Sequence, residues 1–361
     1  MRKARWLASG EGSGTKPAIY HCISRVVDRR FVFEEREREA FRMFMRMYEN
    51  FSGCQVLSYC LMSNHFHLLL EVPAMTDGGL SDEELLKRLG AIYSEAQVAT
   101  VAGELAEARK SIAAGEGNEL LAAAIHERFT YRMHDLSQFM KGLLIRFTRW
   151  FNRTHSRTGT LWEERFKSVI VESGTAARTM AAYIDLNPVR AGMVSDPAEY
   201  RWSSYGEAVG GGKKGNGRKA REGLLRAYFS DRQESFDVEK WRDVSRLYRR
   251  LMGIALEKKA GRAQVGSGKI VKAKNTREML ESADNETVLK ELGFARMLRC
   301  RVRYFTDGAV IGSREFVNEA FVAARERFGP KRKNGARKLR GVGNPAAETL
   351  WSMRDLRLGI S

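Results

Sequence analysis

The sequence predicts an α+β protein with an antiparallel sheet. Two kinds of pattern support this: short apolar runs typical of strands, and longer segments whose apolar residues recur at helical spacing. The predicted elements follow in the order strand 18–27, helix 35–50, hairpin 55–72, helix 135–152, strand 166–172 and helix 175–187. A chain that alternates single strands, a hairpin and helices in this way favours an antiparallel sheet covered by helices.

Each of these elements has a local signal. The hairpin is predicted because Met62, Ser63 and Asn64 interrupt a strand-like run. The helix over 135–152 carries one apolar stripe from Leu136 to Phe151, with its basic residues off the stripe. The last helix is expected to end at Pro188, because a proline disfavours helical geometry in the residue before it.

The charge of the chain is its most unusual bulk property. Among 361 residues, 62 are Lys or Arg and 44 are Asp or Glu, which gives a formal net charge of +18. A charge of this sign favours encounter with a polyanion, usually a nucleic acid. Hydrophobic residues make up 43% and charged residues 29%, which is typical of a globular protein and excludes a largely disordered one.

The sequence also argues against a membrane span, a signal peptide and a cysteine-based zinc site. No apolar run approaches the ~20 residues needed to cross a bilayer, and the basic N-terminus is followed by Gly and Glu instead of the apolar stretch of a signal peptide. A cytoplasmic, nucleoid-associated protein without a membrane partner is therefore expected. The four cysteines are scattered without a C-x-x-C pair, which argues against a cysteine-based zinc site.

Charge and glycine patterns predict the domain organisation. Residues 77–127 hold ten acidic and four basic residues, so a helical acidic insertion is expected at about 74–134 within a catalytic domain over residues 1–206. A basic Gly-rich linker is expected over 207–223. Residues 224–361 are expected to be mainly helical with a basic tail, either a helix-turn-helix-like DNA reader or a small bundle packed on the first domain. Helices are predicted over 287–299 and after a Ser313 cap.

Two histidines flank Phe66 in the predicted strand SNHFHLLLEV. Because alternate residues of a strand share a face, the side chains of His65 and His67 would project to the same side and could bind one ion. The alternative is a hydrogen-bonded pair of histidines at a sheet edge. The other four histidines, His21, His126, His134 and His155, have no partner at ligand spacing and are predicted to be structural.

A second group of residues lies in the predicted helix MAAYIDLNPVRAG. Tyr183 and Asn187 are four residues apart and therefore lie on one helix face. The alternatives are that Tyr183 is a core aromatic residue and that Asn187 caps the helix C-terminus.

Taken together, these motifs resemble a known family. SNHFHLLLEV resembles the HUH motif, and Y-I-x-x-N-P-V-R-A-G resembles the nucleophile helix of single-tyrosine HUH transposases. Three further blocks match in order: YHCISRVVDRRFVF, the segment LSQFMKGLLIRFTRWFNRTHSRTGTLWEERFKSVIVES, and the residues after the nucleophile helix. The chain is most similar to the REP-associated tyrosine transposases over about residues 16–206, apart from the acidic insertion.

The resemblance implies a fold, a reaction and the residues that carry it. The fold would be ferredoxin-like, and His65, His67 and Asn187 would hold a divalent metal, Mg²⁺ or Mn²⁺. Tyr183 would be the nucleophile that cleaves and rejoins single-stranded DNA of hairpin repeats through a 5′-phosphotyrosine. The resemblance leaves open a homodimer and whether Tyr183 acts in its own subunit.

The sequence also suggests residues that could contact phosphate and two alternative functions. Four basic side chains are candidates for phosphate contacts, and each has the alternative of an ordinary surface charge: Arg25, Arg165, Lys167 and Arg190. Glu163 and Glu164 are adjacent, so they should face apart, and no acid–base role is expected. Two alternative functions remain, a catalytically silent nucleic-acid-binding regulator and a metallonuclease that hydrolyses DNA without a tyrosine adduct.

Overall fold

A computed structural model describes residues 6–8, 17–74, 78–115, 119–210, 217–231, 241–263, 298, 303–306, 309–339 and 350–353. Its strands are β1 (Ala18–Arg25), β2 (Gln55–Leu61), β3 (His65–Val72), β4 (Lys167–Val171), β5 (Val310–Gly312), β6 (Arg337–Lys338) and β7 (Trp351–Met353). Its longer helices are α1 (Glu35–Ser52), α2 (Asp82–Leu89), α3 (Glu95–Ala113), α4 (Glu119–Thr130), α5 (Leu136–Thr154), α6 (Thr175–Asp185), α9 (Arg218–Tyr228), α10 (Trp241–Ala263) and α12 (Arg314–Ala323). Shorter helices are α7 (Asn187–Arg190), α8 (Ser204–Gly210) and α11 (Arg303–Thr306).

The first four strands form the predicted antiparallel sheet. They lie in the order β2-β3-β1-β4, and every neighbouring pair among them is antiparallel. Helix α1 connects β1 to β2, and α5 precedes β4, so the chain follows the β-α-β-β-α-β order of a ferredoxin-like fold. The α+β prediction and the predicted hairpin are confirmed.

Helices α1 and α5 pack together on one face of this sheet. Phe41 of α1 lies 4.6 Å from Phe66 of β3 and 5.1 Å from Phe147 of α5, measured between ring centroids, and all three are buried. The two helices approach closely at Gly142, where an added Cβ would lie 2.3 Å from an aromatic carbon of Tyr48. Helix α1 ends at Gly53, whose φ of 76° is the left-handed conformation that glycine adopts most readily.

The segment between β3 and α5 forms helices α2, α3 and α4 with an apolar cluster of their own. The cluster contains Leu85, Leu89, Val101 and Leu105, and it joins the main fold through Phe51 at the end of α1. Helix α2 begins at a Ser81 cap and α3 at a capping box formed by Ser94 and Gln97.

The C-terminal residues extend the same sheet. Strand β5 pairs in parallel with β4, and β7 and β6 follow, giving the order β2-β3-β1-β4-β5-β7-β6 in the described part of the chain. Ser313 caps α12 as predicted, its hydroxyl accepting a hydrogen bond from the Phe316 amide (3.1 Å). Strands of two or three residues carry no detectable periodicity, so the sequence predicted only helices here. The predicted helix over 287–299 lies outside the described residues, except for Leu298.

The segment predicted as a linker over 207–223 differs from that expectation. Residues 207–210 belong to α8 and residues 218–223 to α9. Gly223 packs so closely on β2 that an added Cβ would lie 2.3 Å from the Val56 carbonyl oxygen. Glycine here allows close packing of a helix on a strand, so the described ends of this segment are helical. In the described ranges, no helix combines the length and apolar character of a membrane span.

Candidate active site

Strand β3 directs its two motif histidines away from the α1/α5 core. Phe66 points into that core, where it contacts Phe41 and, at 5.6 Å, Trp162. His65 and His67 therefore face the opposite side, because side chains alternate along a strand. Their ring centroids are 5.1 Å apart and nearly perpendicular. The predicted shared face is observed, and it is the face that α6 covers.

Helix α6 brings Tyr183 to this face. The Tyr183 ring lies 6.1 Å from the His67 ring, centroid to centroid. Helix α6 ends at Asp185, two residues earlier than predicted, and Pro188 is the second residue of the short helix α7. Leu186 keeps right-handed helical angles between the two, so Asn187 still follows Tyr183 by about one turn.

The amide of Asn187 caps the C-terminal end of helix α6. Its Nδ2 donates to the carbonyl oxygens of Tyr183 (3.1 Å) and Ile184 (3.2 Å). These contacts correspond to the capping alternative, yet they use only the NH₂ group. They leave Oδ1 as the amide atom that could bind an ion.

All four motif residues line one cavity of about 370 Å³. His65 and His67 come from β3, Tyr183 from α6 and Asn187 from α7. The remaining lining residues are Ile23, Ser24, Arg25, Arg29, Glu163, Glu164, Arg165, Lys167 and Thr306. Residues separated by more than a hundred positions in sequence thus meet in a single cavity.

Burial keeps both motif histidines neutral. Burial, followed by the charge of Arg25, lowers the pKa of His65 to about 4. Burial also lowers the pKa of His67 well below its usual value, with smaller contributions from His21 and His65. A neutral imidazole is the form that binds a metal ion.

His21 is a residue of this site that sequence reasoning missed. It lies on β1, and its Nε2 is 3.0 Å from Nδ1 of His67, while its own Nδ1 is 2.8 Å from the carbonyl oxygen of Phe305. The residue opposite His67 on β1 is Ile23, so His21 lies two positions further along on the same face. The alternation of His21, Ile23 and Arg25 along β1 was the sequence signal that could have placed His21 on the same face as Arg25.

Tyr183 is held between two side chains from later in the chain. Its ring stacks on Phe305, with centroids 4.5 Å apart and planes 19° from parallel. The guanidinium of Arg190 lies 4.6 Å from the ring centroid. Only 1% of Tyr183 is exposed, although it lines the cavity. A cation at this position favours negative charge on the phenol oxygen.

The four predicted phosphate contacts fall into two groups. Arg25, Arg165 and Lys167 are exposed and line the cavity. Arg190 is instead directed into the protein, where it donates to the carbonyl oxygens of Tyr183 (3.5 Å) and Leu298 (2.7 Å). Its position near Tyr183 is therefore structural as well as electrostatic. Arg29, Glu163 and Glu164 also line the cavity, without a predicted role.

Asp185 connects helix α6 to neighbouring helices. It is completely buried, and its oxygens accept hydrogen bonds from the Tyr205 amide (2.9 Å) and the Tyr248 hydroxyl (2.8 Å). These contacts tie α6 to α8 and α10. Burial raises the pKa of Asp185 to about 7, although its hydrogen bonds act in the opposite direction.

The part of the chain that contains both cavity histidines is similar to a known protein family. Residues 15–78, which include β1 and both histidines of β3, match the family model described as "Transposase IS200 like". The predicted resemblance to this family is confirmed. A solved structure of a REP-associated tyrosine transposase bound to a REP hairpin is 12% identical, with a TM-score of 0.35 over 60% of this chain and 88% of that one. No match was found among curated proteins.

The donor atoms at this site fit a divalent metal only when the amide of Asn187 is included. Among the described residues, no group of three or more His, Cys, Asp and Glu side chains is arranged to bind a metal. His65 and His67 supply two nitrogens, and Asn187 is the amide that lines the same cavity. A mixed nitrogen and oxygen set of this kind suits Mn²⁺ and, less well, Mg²⁺.

Proposed function

We propose that the protein is a metal-dependent tyrosine transposase that cleaves and rejoins single-stranded DNA, with hairpin repeats as its substrate. The observation that carries the proposal is the shared cavity: two histidines of β3, the tyrosine of α6 and the amide of α7 converge there. The family match over residues 15–78 supports the same conclusion. Exposed Arg25, Arg165 and Lys167 at the cavity suit a polyanionic strand.

The chemistry follows from these residue types. The Tyr183 oxygen would attack the scissile phosphorus, forming a P–O bond and breaking the bond to the 3′-oxygen, which takes up a proton. A free tyrosine phenol has a pKa of about 10 and is mostly protonated at neutral pH, so a tyrosine that acts as a nucleophile needs a cationic environment. Arg190 supplies one positive charge next to its ring.

A divalent ion held by His65, His67 and Asn187 would withdraw charge from a non-bridging phosphate oxygen and orient the phosphate. Because the DNA stays covalently attached, a second 3′-hydroxyl can attack the phosphotyrosine and reseal the strand without ATP. The spacing of Tyr183 and Asn187 holds nucleophile and amide ligand at a fixed separation on consecutive helices.

An exposed aromatic residue close in sequence to the cavity could contact unpaired bases. Phe31 is 78% exposed and comes two residues after Arg29, which lines the cavity. The backbone just before Phe31 is held in place because Asn64 donates from Nδ2 to the Arg29 carbonyl oxygen (3.0 Å). In the same segment, Asp28 and Arg29 adopt φ angles of 56° and 54°. Aromatic side chains at such positions stack on single-stranded bases, and each stack contributes about 1–3 kcal/mol.

A covalent-adduct assay tests the proposal. A hairpin oligonucleotide labelled at its 3′ end is incubated with Mn²⁺ and separated on a denaturing protein gel, since the 5′-phosphotyrosine retains the 3′ fragment. The label should migrate with the wild-type protein and disappear in Tyr183→Phe and in His65→Ala. Tyr131→Phe, at an exposed tyrosine after α4, is the matched control and should retain the adduct.

The same assay separates the two alternative functions. Metal-dependent cleavage that persists in Tyr183→Phe without any adduct would identify a metallonuclease. Binding of the hairpin without cleavage by the wild type, unchanged in Tyr183→Phe, would identify a silent nucleic-acid-binding protein.

The charge at the cavity is tested by salt dependence. Each phosphate contact removed should reduce the slope of log K against log salt by about 0.7 for a single strand. Lys167→Ala should show this reduction, whereas Lys141→Ala, at an exposed lysine of α5 on the other side of the sheet, should not. Equal slopes in both variants would show that the DNA strand does not contact Lys167.

A further inference from the structure

We propose that His21 is a positioning residue that fixes the tautomer of His67, so that Nε2 of His67 presents its lone pair to the cavity. The inference rests on the proposed metal site and deepens it. It assigns a function to a histidine outside the HUH motif and to a backbone carbonyl in the C-terminal part of the chain.

The chain of hydrogen bonds has only one consistent direction when both rings are neutral. The carbonyl oxygen of Phe305 can only accept, so Nδ1 of His21 must carry a hydrogen and donate to it (2.8 Å). A neutral imidazole has a single N–H, which makes Nε2 of His21 an acceptor. Nδ1 of His67, 3.0 Å away, must then be the donor. The lone pair of His67 is left on Nε2.

The opposite arrangement of hydrogens would leave His67 without a lone pair on Nε2 for a metal ion. If Nε2 of His21 donated instead, Nδ1 of His67 would have to accept, and a neutral His67 would then carry its hydrogen on Nε2. His21 is completely buried and His67 is 3% exposed, so solvent cannot replace the missing contacts. The orientation of these two rings is therefore determined inside the protein.

His65 is oriented by an independent contact of the same kind. The amide of Asn64 donates from Nδ2 to the Arg29 carbonyl oxygen (3.0 Å), which identifies Oδ1 as the atom 2.7 Å from Nδ1 of His65. Nδ1 of His65 must donate to that oxygen, leaving its lone pair on Nε2 as well. Both motif histidines thus have the same tautomer, set by different partners.

The role of His21 differs from that of most partners of metal-binding histidines. Such a histidine usually donates directly to a carboxylate, a carbonyl or water. Here a second imidazole lies between His67 and the carbonyl of Phe305. The C-terminal segment around Phe305, which stacks on Tyr183, thereby also determines how His67 is oriented.

The test combines tautomer and affinity measurements on the full chain without DNA. Long-range ¹H–¹⁵N spectra of histidine-labelled protein report which ring nitrogen of His67 is protonated. Titration with Mn²⁺ alone, followed by calorimetry, reports metal affinity. The variants are His21→Gln, whose amide can donate to Phe305 and accept from His67, and His21→Leu, which can do neither. His126→Gln, in the inserted helices, is the matched control.

We expect protonated Nδ1 in His67 of the wild type and of His21→Gln, with similar Mn²⁺ affinity. His21→Leu should bind Mn²⁺ about tenfold to hundredfold more weakly, the usual effect of removing such a partner. A wild-type His67 protonated on Nε2 would overturn the inference, and so would unchanged affinity in His21→Leu. If His21→Leu fails to fold, the tautomer of His67 in the wild type and the tautomer and Mn²⁺ affinity of His21→Gln still test the inference.

Failure of the proposed function gives a different result. A wild-type protein that forms no DNA adduct, yet has His67 protonated on Nδ1 and binds Mn²⁺, would refute the transposase reaction and leave the role of His21 standing.

Discussion

Replacing Asp185 by asparagine should change how the stability of the protein depends on pH. Asp185 lies two residues after Tyr183 and joins helix α6 to α8 and α10 through Tyr205 and Tyr248. Burial raises its pKa from 3.8 to about 7. The folded protein therefore retains a proton on this carboxyl group that the unfolded chain releases at much lower pH.

The sign and size of the effect follow from this difference. A carboxyl group whose pKa is higher in the folded state contributes fully to stability below its unfolded pKa. That contribution is lost as the pH rises through the folded pKa. Each unit corresponds to about 1.4 kcal/mol, so the wild type should lose about 2 kcal/mol of unfolding free energy relative to Asp185→Asn between pH 5 and pH 7.

Urea denaturation of both proteins at several pH values measures this difference. His21, His65 and His67 have lowered pKa values in both proteins, so their opposite contribution cancels when the two curves are subtracted. Parallel curves between pH 5 and pH 7 would show that Asp185 is ionised in the fold, and would refute the argument from burial.

Three further substitutions test the packing. Phe305→Ala should lower the unfolding free energy by about 3–5 kcal/mol, because Phe305 is fully buried. It should also speed nitration of Tyr183, measured by mass spectrometry, and an unchanged rate would mean that Phe305 does not cover the phenol. Gly142→Ala should destabilise by about 1–3 kcal/mol because of the close contact with Tyr48. Gly103→Ala, where the structure leaves open space in helix α3, should stabilise by about 0.5–1 kcal/mol, and equal melting temperatures for the two variants would contradict the packing described.

The sequence was most informative where short-range periodicity determines structure. The alternation of His65, Phe66 and His67 predicts one core residue between two residues on the opposite face, and the structure has this arrangement. The i, i+4 relation of Tyr183 and Asn187 likewise survives the break between α6 and α7.

Contacts between distant parts of the chain could not be predicted. The partners of His21 are 46 and 284 residues away, so no local spacing indicates them. Arg190 was predicted to contact phosphate, but a basic residue after a helix can equally fold back onto that helix, as its contacts with Tyr183 demonstrate. Strands β5, β6 and β7 are too short to leave a pattern; β5 pairs with the edge of β4, and β7 and β6 extend the sheet from β5.

The most direct test of the central claim is to identify the residue that carries the DNA. The adduct formed with Mn²⁺ and a hairpin oligonucleotide is digested with nuclease and trypsin and analysed by mass spectrometry. Trypsin should release residues 179–190, which contain a single tyrosine, Tyr183. We predict that this peptide carries a nucleotide phosphate on Tyr183. A modification on any other residue, or cleaved DNA with an unmodified 179–190 peptide, would contradict the account.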